Sequence, residues 1–214
     1  MALDGKRILL VHPLGYDPKL AQRDISRLAN VMPPLGLASI AAYLESKGFK
    51  ADIIDGFAVP DSDASIAAHL REFRPAFLGL TSTTSSFADA VRIAQWAKTD
   101  LPGITTVFGG PHVSALRERI LLENAAIDLT VVGEGEEPLE QLLSGHPRPS
   151  IPGLVLREAG AVRFTGFQKG IENLDRLPFP AYDKLAGYPD AYRLPIFNYP
   201  RAPNASCISS RGCP

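Results

Sequence analysis

Five short clusters in this sequence carry residues suited to chemistry: His12-Pro13-Leu14-Gly15, Asp55-Gly56, Thr81-Ser82-Thr83-Thr84, Gly109-Gly110-Pro111-His112 and Gly133-Glu134-Gly135-Glu136. Glycine lacks a side chain and tolerates positive φ, so Gly15, Gly109, Gly110, Gly133 and Gly135 would let a large group approach the backbone closely. Thr81, Ser82 and Thr83 add hydroxyl donors and acceptors for a polar ligand tail. His12 and His112 bring imidazoles, and Pro13 and Pro111 stiffen the loops beside them. Glu134 and Glu136 stand where a helix should begin, which suits the helix dipole but would repel a phosphate. Their carboxylates are expected on a solvated face, not as an acid/base pair. Cys207 and Cys213 make a poor disulfide framework for a chain of 214 residues, so a free thiol or a metal role is the better question for them.

Each cluster follows a run that reads as a strand. The branched apolar runs at 7–12, 50–55, 76–82, 104–110 and 127–133 suit strands buried on both faces. Between them, 33–49, 61–73, 84–99, 112–124 and 136–143 read as helices. Pro33 and Pro34 open the first of these and Gly48 stops it. Strict alternation of this kind predicts an α/β fold, a doubly wound five-stranded parallel sheet with helices on both faces. In such a sheet ligands bind outside the carboxyl ends of the strands, which is where all five clusters fall.

After residue 145 the pattern changes. Two strand-like runs flank Glu158-Ala159-Gly160 and predict a small β-hairpin, and the recurrent prolines of 171–204 predict a Pro-rich linker lying against a neighbouring body. The organisation expected is therefore 1–145 as a sheet domain, 146–206 as hairpin and extended linker, and 207–214 as the start of something further.

A net charge of -1 with no local Lys or Arg run gives no general reason to bind nucleic acid or an anionic membrane. The apolar stretch near the N-terminus is too short for a signal peptide or a span, so the chain reads as cytoplasmic. No G-x-G-x-x-G fingerprint follows the first strand and no Gly-Lys-Ser or Gly-Lys-Thr occurs, which disfavours NAD, FAD and a Walker-type phosphate site.

The order of "PPLGLASIAAYLESKGFKADIID", "GLTSTTSSF", "GGPHVSA", "IDLTVVGEGEEPLEQLL", "IPGLVL", "LDRLPFPAYD" and "SSRGCP" resembles the N-terminal half of the cobalamin-binding radical SAM family, in particular members of the anaerobic magnesium-protoporphyrin IX monomethyl ester cyclase type. The resemblance implies a flavodoxin-like, cobalamin-binding sheet domain. Its cofactor site would draw on His12, Pro13, Gly15, Thr81, Ser82, Thr83, Gly109, Gly110, Pro111, His112, Gly133, Glu134 and Gly135. It also makes Cys213 resemble the first cysteine of a Cys-xxx-Cys-xx-Cys motif for a 4Fe-4S cluster that binds S-adenosylmethionine, with the other two cysteines and the radical SAM barrel in a longer parent. One such thiolate cannot hold a cluster, so this chain alone is expected to lack radical activity. The methionine-synthase type of cobalamin domain carries D-x-H-x-x-G after its first strand. Here His12 and Gly15 fit that spacing while Leu10 replaces the Asp, which predicts an imidazole with no carboxylate to orient it. Two alternatives stand beside the cyclase-like module: a fragment of a cobalamin-dependent radical SAM methyltransferase, and a doubly wound binding module with no corrin.

Overall fold

The computed structural model describes residues 3–15, 31–59, 61–192 and 205–211. The run at 7–12 forms the inner strand β1 (Asp4–His12), whose side chains alternate between two cores. Ile8 and Leu10 join one buried cluster while Leu9 and Val11 join the other. This is the period-two rule acting on a strand with no solvent face. The further strands are β2 (Lys50–Asp55), β3 (Pro75–Thr81), β4 (Thr105–Gly109) and β5 (Leu129–Val131). Helices α1 (Leu35–Ser46) and α6 (Glu136–Leu143) cover the Ile8/Leu10 face. The opposite face is covered by α2 (Ser62–Phe73), α3 (Phe87–Asp100), α4 (Pro111–Leu116) and α5 (Glu118–Glu123).

The strand order is β2-β1-β3-β4-β5-β6-β7, with the first five strands parallel. From β1 the chain winds outward to β2 and then returns to place β3 on the other side of β1. The carboxyl ends of β1 and β3, His12 and Thr81, therefore flank the switch point where a crevice must open.

Two local features differ from the pattern read in the sequence. The hairpin, β6 (Leu154–Glu158) and β7 (Ala161–Phe164), is no separate appendage: β6 pairs antiparallel with β5 and extends the sheet to seven strands. This covers an edge that would otherwise expose unpaired backbone groups next to buried Leu129 and Val131. The helix expected over 112–124 is broken in two at Arg117, where φ is +44°. The Arg117 guanidinium there lies 5.7 and 5.6 Å from the ring centroids of Phe164 and Phe167. The linker, for its part, packs on its own sheet domain. Ala181 N–H donates to the Ala38 carbonyl at 3.0 Å, Lys184 pairs with Glu45 and Asp52, and Leu185 and Tyr192 are buried.

Two tyrosines tie this packing to pH. Burial, then a hydrogen bond to the Glu140 carboxylate, pushes the Tyr43 phenol up, and burial followed by the nearby Asp55 carboxylate does the same to Tyr192. A raised folded-state pKa means that the native chain holds the proton more tightly. The stabilisation is then fully present below the unfolded tyrosine value of about 10 and is lost as pH rises through the folded values. The urea midpoint is expected to fall steadily above about pH 10, and Tyr43→Phe together with Tyr192→Phe should flatten that alkaline limb.

Candidate functional site

At the carboxyl edge of the sheet, on the α1/α6 face, lies a cavity of about 590 Å³. Leu10, Gly79, Val107 and Val131 form its floor, and Pro33, Pro34, Gly36, Leu37 and Ile40 from the start of α1 form one wall. Its rim is made by His12, Thr81, Gly109, Gly110 and Gly133 to Glu136. Glycines let the elements around it pack closely. In β3, Gly79 pairs in register with Leu10 on one side and Val107 on the other, and a Cβ there would stand 2.7 Å from Leu10 Cδ2. Gly135 lets the start of α6 approach α1, since a Cβ on it would meet Ile40 Cδ1 at 2.6 Å. Gly110, at φ +97°, turns the chain from β4 into α4 against the backbone of Ser82.

Seven of the residues expected for the cofactor site meet in this one cavity, His12, Thr81, Gly109, Gly110, Gly133, Glu134 and Gly135, and Glu136 joins them. The other described candidates stand beside it. Ser82 is buried below Gly110, its N–H donating to the Gly109 carbonyl at 3.0 Å, while its Oγ has no hydrogen-bond partner among the described residues. The Thr83 hydroxyl bonds with those of Ser85 and Ser86. Pro111 opens α4, and His112 Nδ1 lies 3.1 Å from Thr84 Oγ1 with its ring 4.5 Å from that of Phe87. Pro13 is buried in the loop after β1, where Gly15 donates its N–H to Asp89 Oδ2 at 3.0 Å. Arg92 holds that carboxylate in turn, bridging Asp89 to Asp63. Cys213 lies outside the described residues, and Cys207 is exposed. Among the described residues no group of three or more His, Cys, Asp or Glu could hold a metal ion.

Two expectations are corrected. The carboxylate missing at position 10 is supplied by the neighbouring strand. His12 and Asp55 are register partners across β1 and β2, and His12 Nδ1 lies 3.0 Å from Asp55 Oδ1. Asp55 is almost wholly buried, also accepts the Phe57 N–H at 3.0 Å, and so fixes the ring. With Nδ1 engaged, His12 Nε2 is the ring nitrogen without a partner among the described residues, on a side chain that lines the cavity. Asp55 Oδ2 is buried as well, and the buried Tyr192 hydroxyl lies near this carboxylate. The second correction concerns Glu136, which is not on a solvated face. Its side chain is 3% exposed and its Oε1 accepts from Ser39 Oγ at 2.9 Å and from Arg211 at 2.8 Å.

Arg211, Ile208 and Met32 line the cavity without having been anticipated. No local signal marks the first two as cavity residues, because they come from a distant segment. Asp55 carried a signal: it is the last residue of a strand adjacent to the one that ends in His12.

A parallel sheet with a glycine-lined crevice at its switch point defines a ligand-binding α/β domain of the strand-end type. Residues 24–143 match the model of the B12 binding domain, and the chain belongs to that family. It is 36% identical over 188 residues to an uncharacterized methyltransferase of Pyrococcus horikoshii, covering 85% of this chain and 39% of the relative. An anaerobic magnesium-protoporphyrin IX monomethyl ester cyclase of Rubrivivax gelatinosus is 29% identical, covering 97% of this chain and 37% of the relative. The chain thus spans about two fifths of the length of these relatives. Among solved structures, the radical S-adenosylmethionine methyltransferase TsrM of Kitasatospora setae, with cobalamin and a 4Fe-4S cluster bound, superposes with a TM-score of 0.58 at 21% identity. That match covers 78% of this chain and 31% of the other, and shows a shared fold. Among the described residues no helix is long and apolar enough to cross a membrane.

Proposed function

We propose that this chain is the cobalamin-binding module of a radical SAM enzyme, and that the strand-end cavity receives the cofactor. The observation that carries the reading is the convergence of Gly79, Gly109, Gly110, Gly133 and Gly135 on one largely apolar crevice. A cofactor as broad as a corrin needs an apolar platform with backbone within reach, and its nucleotide arm needs a slot without side chains in the way. Cobalamin, when bound, supplies a cobalt centre for group transfer or one-electron chemistry. The chain's own contribution is to hold it: Thr81 presents a hydroxyl, the glycines present backbone, and the apolar floor excludes water. Mixing the protein with hydroxocobalamin and passing it through gel filtration tests the reading. One corrin per chain is expected to co-elute, and a protein peak free of corrin absorbance would refute it.

Within that site His12, whose ring is oriented by Asp55, would be the residue to ligate cobalt through Nε2. His12→Ala is then expected to shift the visible spectrum of bound hydroxocobalamin, and Asp55→Asn to weaken retention about tenfold or more, as loss of a ligand's orienting partner does. An identical spectrum in His12→Ala would remove ligation by this residue while leaving the binding reading intact.

For the parent enzyme, methyl transfer is the reading favoured by the higher identity to the Pyrococcus horikoshii protein. Ring closure of a magnesium porphyrin is the second reading, supported by the match along nearly the whole chain to the Rubrivivax gelatinosus cyclase. The 4Fe-4S cluster and S-adenosylmethionine would belong to the radical SAM part of such a parent, with Cys213 at its start.

A further inference from the structure

Residues 205–211 contribute a wall to the cavity although they lie far in sequence from every strand that forms its floor. Ile208 and Arg211 both line it. This short stretch has no regular secondary structure, and most of its residues are exposed, so it is held by its anchors and not by a core of its own. There are two. At one end the Tyr182 hydroxyl donates to the Ser206 carbonyl. At the other, the Arg211 guanidinium donates to Ser39 Oγ of α1 at 2.8 Å and pairs with Glu136 Oε1 of α6 at 2.8 Å, with Glu134 Oε1 at 3.7 Å.

The second anchor is the stronger one. Glu136 is buried at the rim of the cavity, and a buried carboxylate is costly unless it is paired and hydrogen-bonded. Arg211 supplies the charge and Ser39 the additional hydrogen bond. Burial works against the charge on Arg211, but its bonds to Glu136 and then Glu134 outweigh that and raise its pKa, so the guanidinium keeps its charge. The guanidinium fork is suited to bridging α1 and α6 at once.

We propose that residues 205–211 form a strap across the cavity mouth, latched by Arg211 on Glu136, and that this latch sets the rate at which bound cobalamin is released. The inference rests on the cobalamin reading above and adds a retention element to it. An occupant resting against Ile208 and Arg211 cannot leave without displacing them, so occupancy and latching favour each other.

The test compares wild type with Arg211→Ala, Glu136→Gln and Arg211→Lys, following hydroxocobalamin release by stopped-flow dilution and the amide hydrogen exchange of Ser206 to Arg211 with and without the cofactor. Release from Arg211→Ala and Glu136→Gln is expected to be at least tenfold faster than from wild type, with Arg211→Lys between. Exchange in the strap should be faster in both variants even without cobalamin, while amides of β1 and β3 stay protected, which separates unlatching from misfolding. In wild type cobalamin should slow strap exchange further. Equal release rates in wild type and Arg211→Ala, or strap exchange that the substitutions leave unchanged, would overturn the proposal. If wild type retains no cobalamin, the cofactor reading fails separately. The latch itself is then judged by exchange without ligand, where equal rates in wild type and Arg211→Ala overturn it.

Discussion

Gly110→Ala is expected to cost roughly 2–4 kcal/mol of folding stability, at the high end for a single loop substitution. Two causes add. The residue sits at φ +97°, a region that an L side chain adopts only under strain. A Cβ there would stand 2.6 Å from the Ser82 carbonyl oxygen, 2.9 Å from its nitrogen and 2.9 Å from Thr81 Oγ1. Two of these atoms are backbone at the end of β3, so they move only if the switch point moves. Gly145→Ala isolates the first cause, since Gly145 has φ +80° and a Cβ added there would meet nothing within 4 Å. It should lose only about 1–2 kcal/mol. Urea unfolding with an unchanged slope would measure both. Equal losses would mean that the close approach of Gly110 to Ser82 does not exist in solution.

The second large effect is on binding alone. Gly109→Leu should fold with a near-native urea midpoint yet lose at least a hundredfold in cobalamin affinity. In β4 the side chains alternate, with Val107 in the core under α1 and α6 and Phe108 in the opposite one. Position 109 therefore points to the same face as Val107, the face of the cavity. A Cβ at 109 meets nothing closer than the Val131 carbonyl at 4.0 Å, and φ is not in the left-handed region, so the backbone tolerates a side chain. The new isobutyl group would occupy the slot itself. Equilibrium dialysis against hydroxocobalamin would read the loss. Undiminished affinity would place the corrin and its arm elsewhere.

Much of this architecture was legible because strands buried on both faces leave continuous apolar runs, and each of the five parallel strands was marked by one. The strand-end glycines and hydroxyls were legible for a related reason: in a doubly wound sheet the topology alone brings every carboxyl end to one edge. What failed to show were lateral and long-range relations. Leu10 standing where a motif carries Asp suggested an imidazole without support, yet parallel register aligned His12 with Asp55 and supplied the carboxylate from the next strand. Sequence spacing along one strand cannot report pairing with another. Glu136 at a helix start reads as solvated, because the guanidinium that buries it comes from far along the chain, at Arg211. The hairpin was visible as alternation around Glu158-Ala159-Gly160, but not its docking on β5, which depends on the edge that β5 leaves open. The break at Arg117 was hidden too, since residues 112–124 carry neither Gly nor an internal Pro to announce it.

Diffraction from crystals grown with hydroxocobalamin, collected at the cobalt absorption edge, tests the central claim most directly. The account predicts a single anomalous peak at the carboxyl edge of the sheet, over the crevice bounded by His12, Thr81 and Gly110. A cobalt peak on another face of the molecule, with the glycine-lined crevice holding no part of the corrin or its arm, would contradict it.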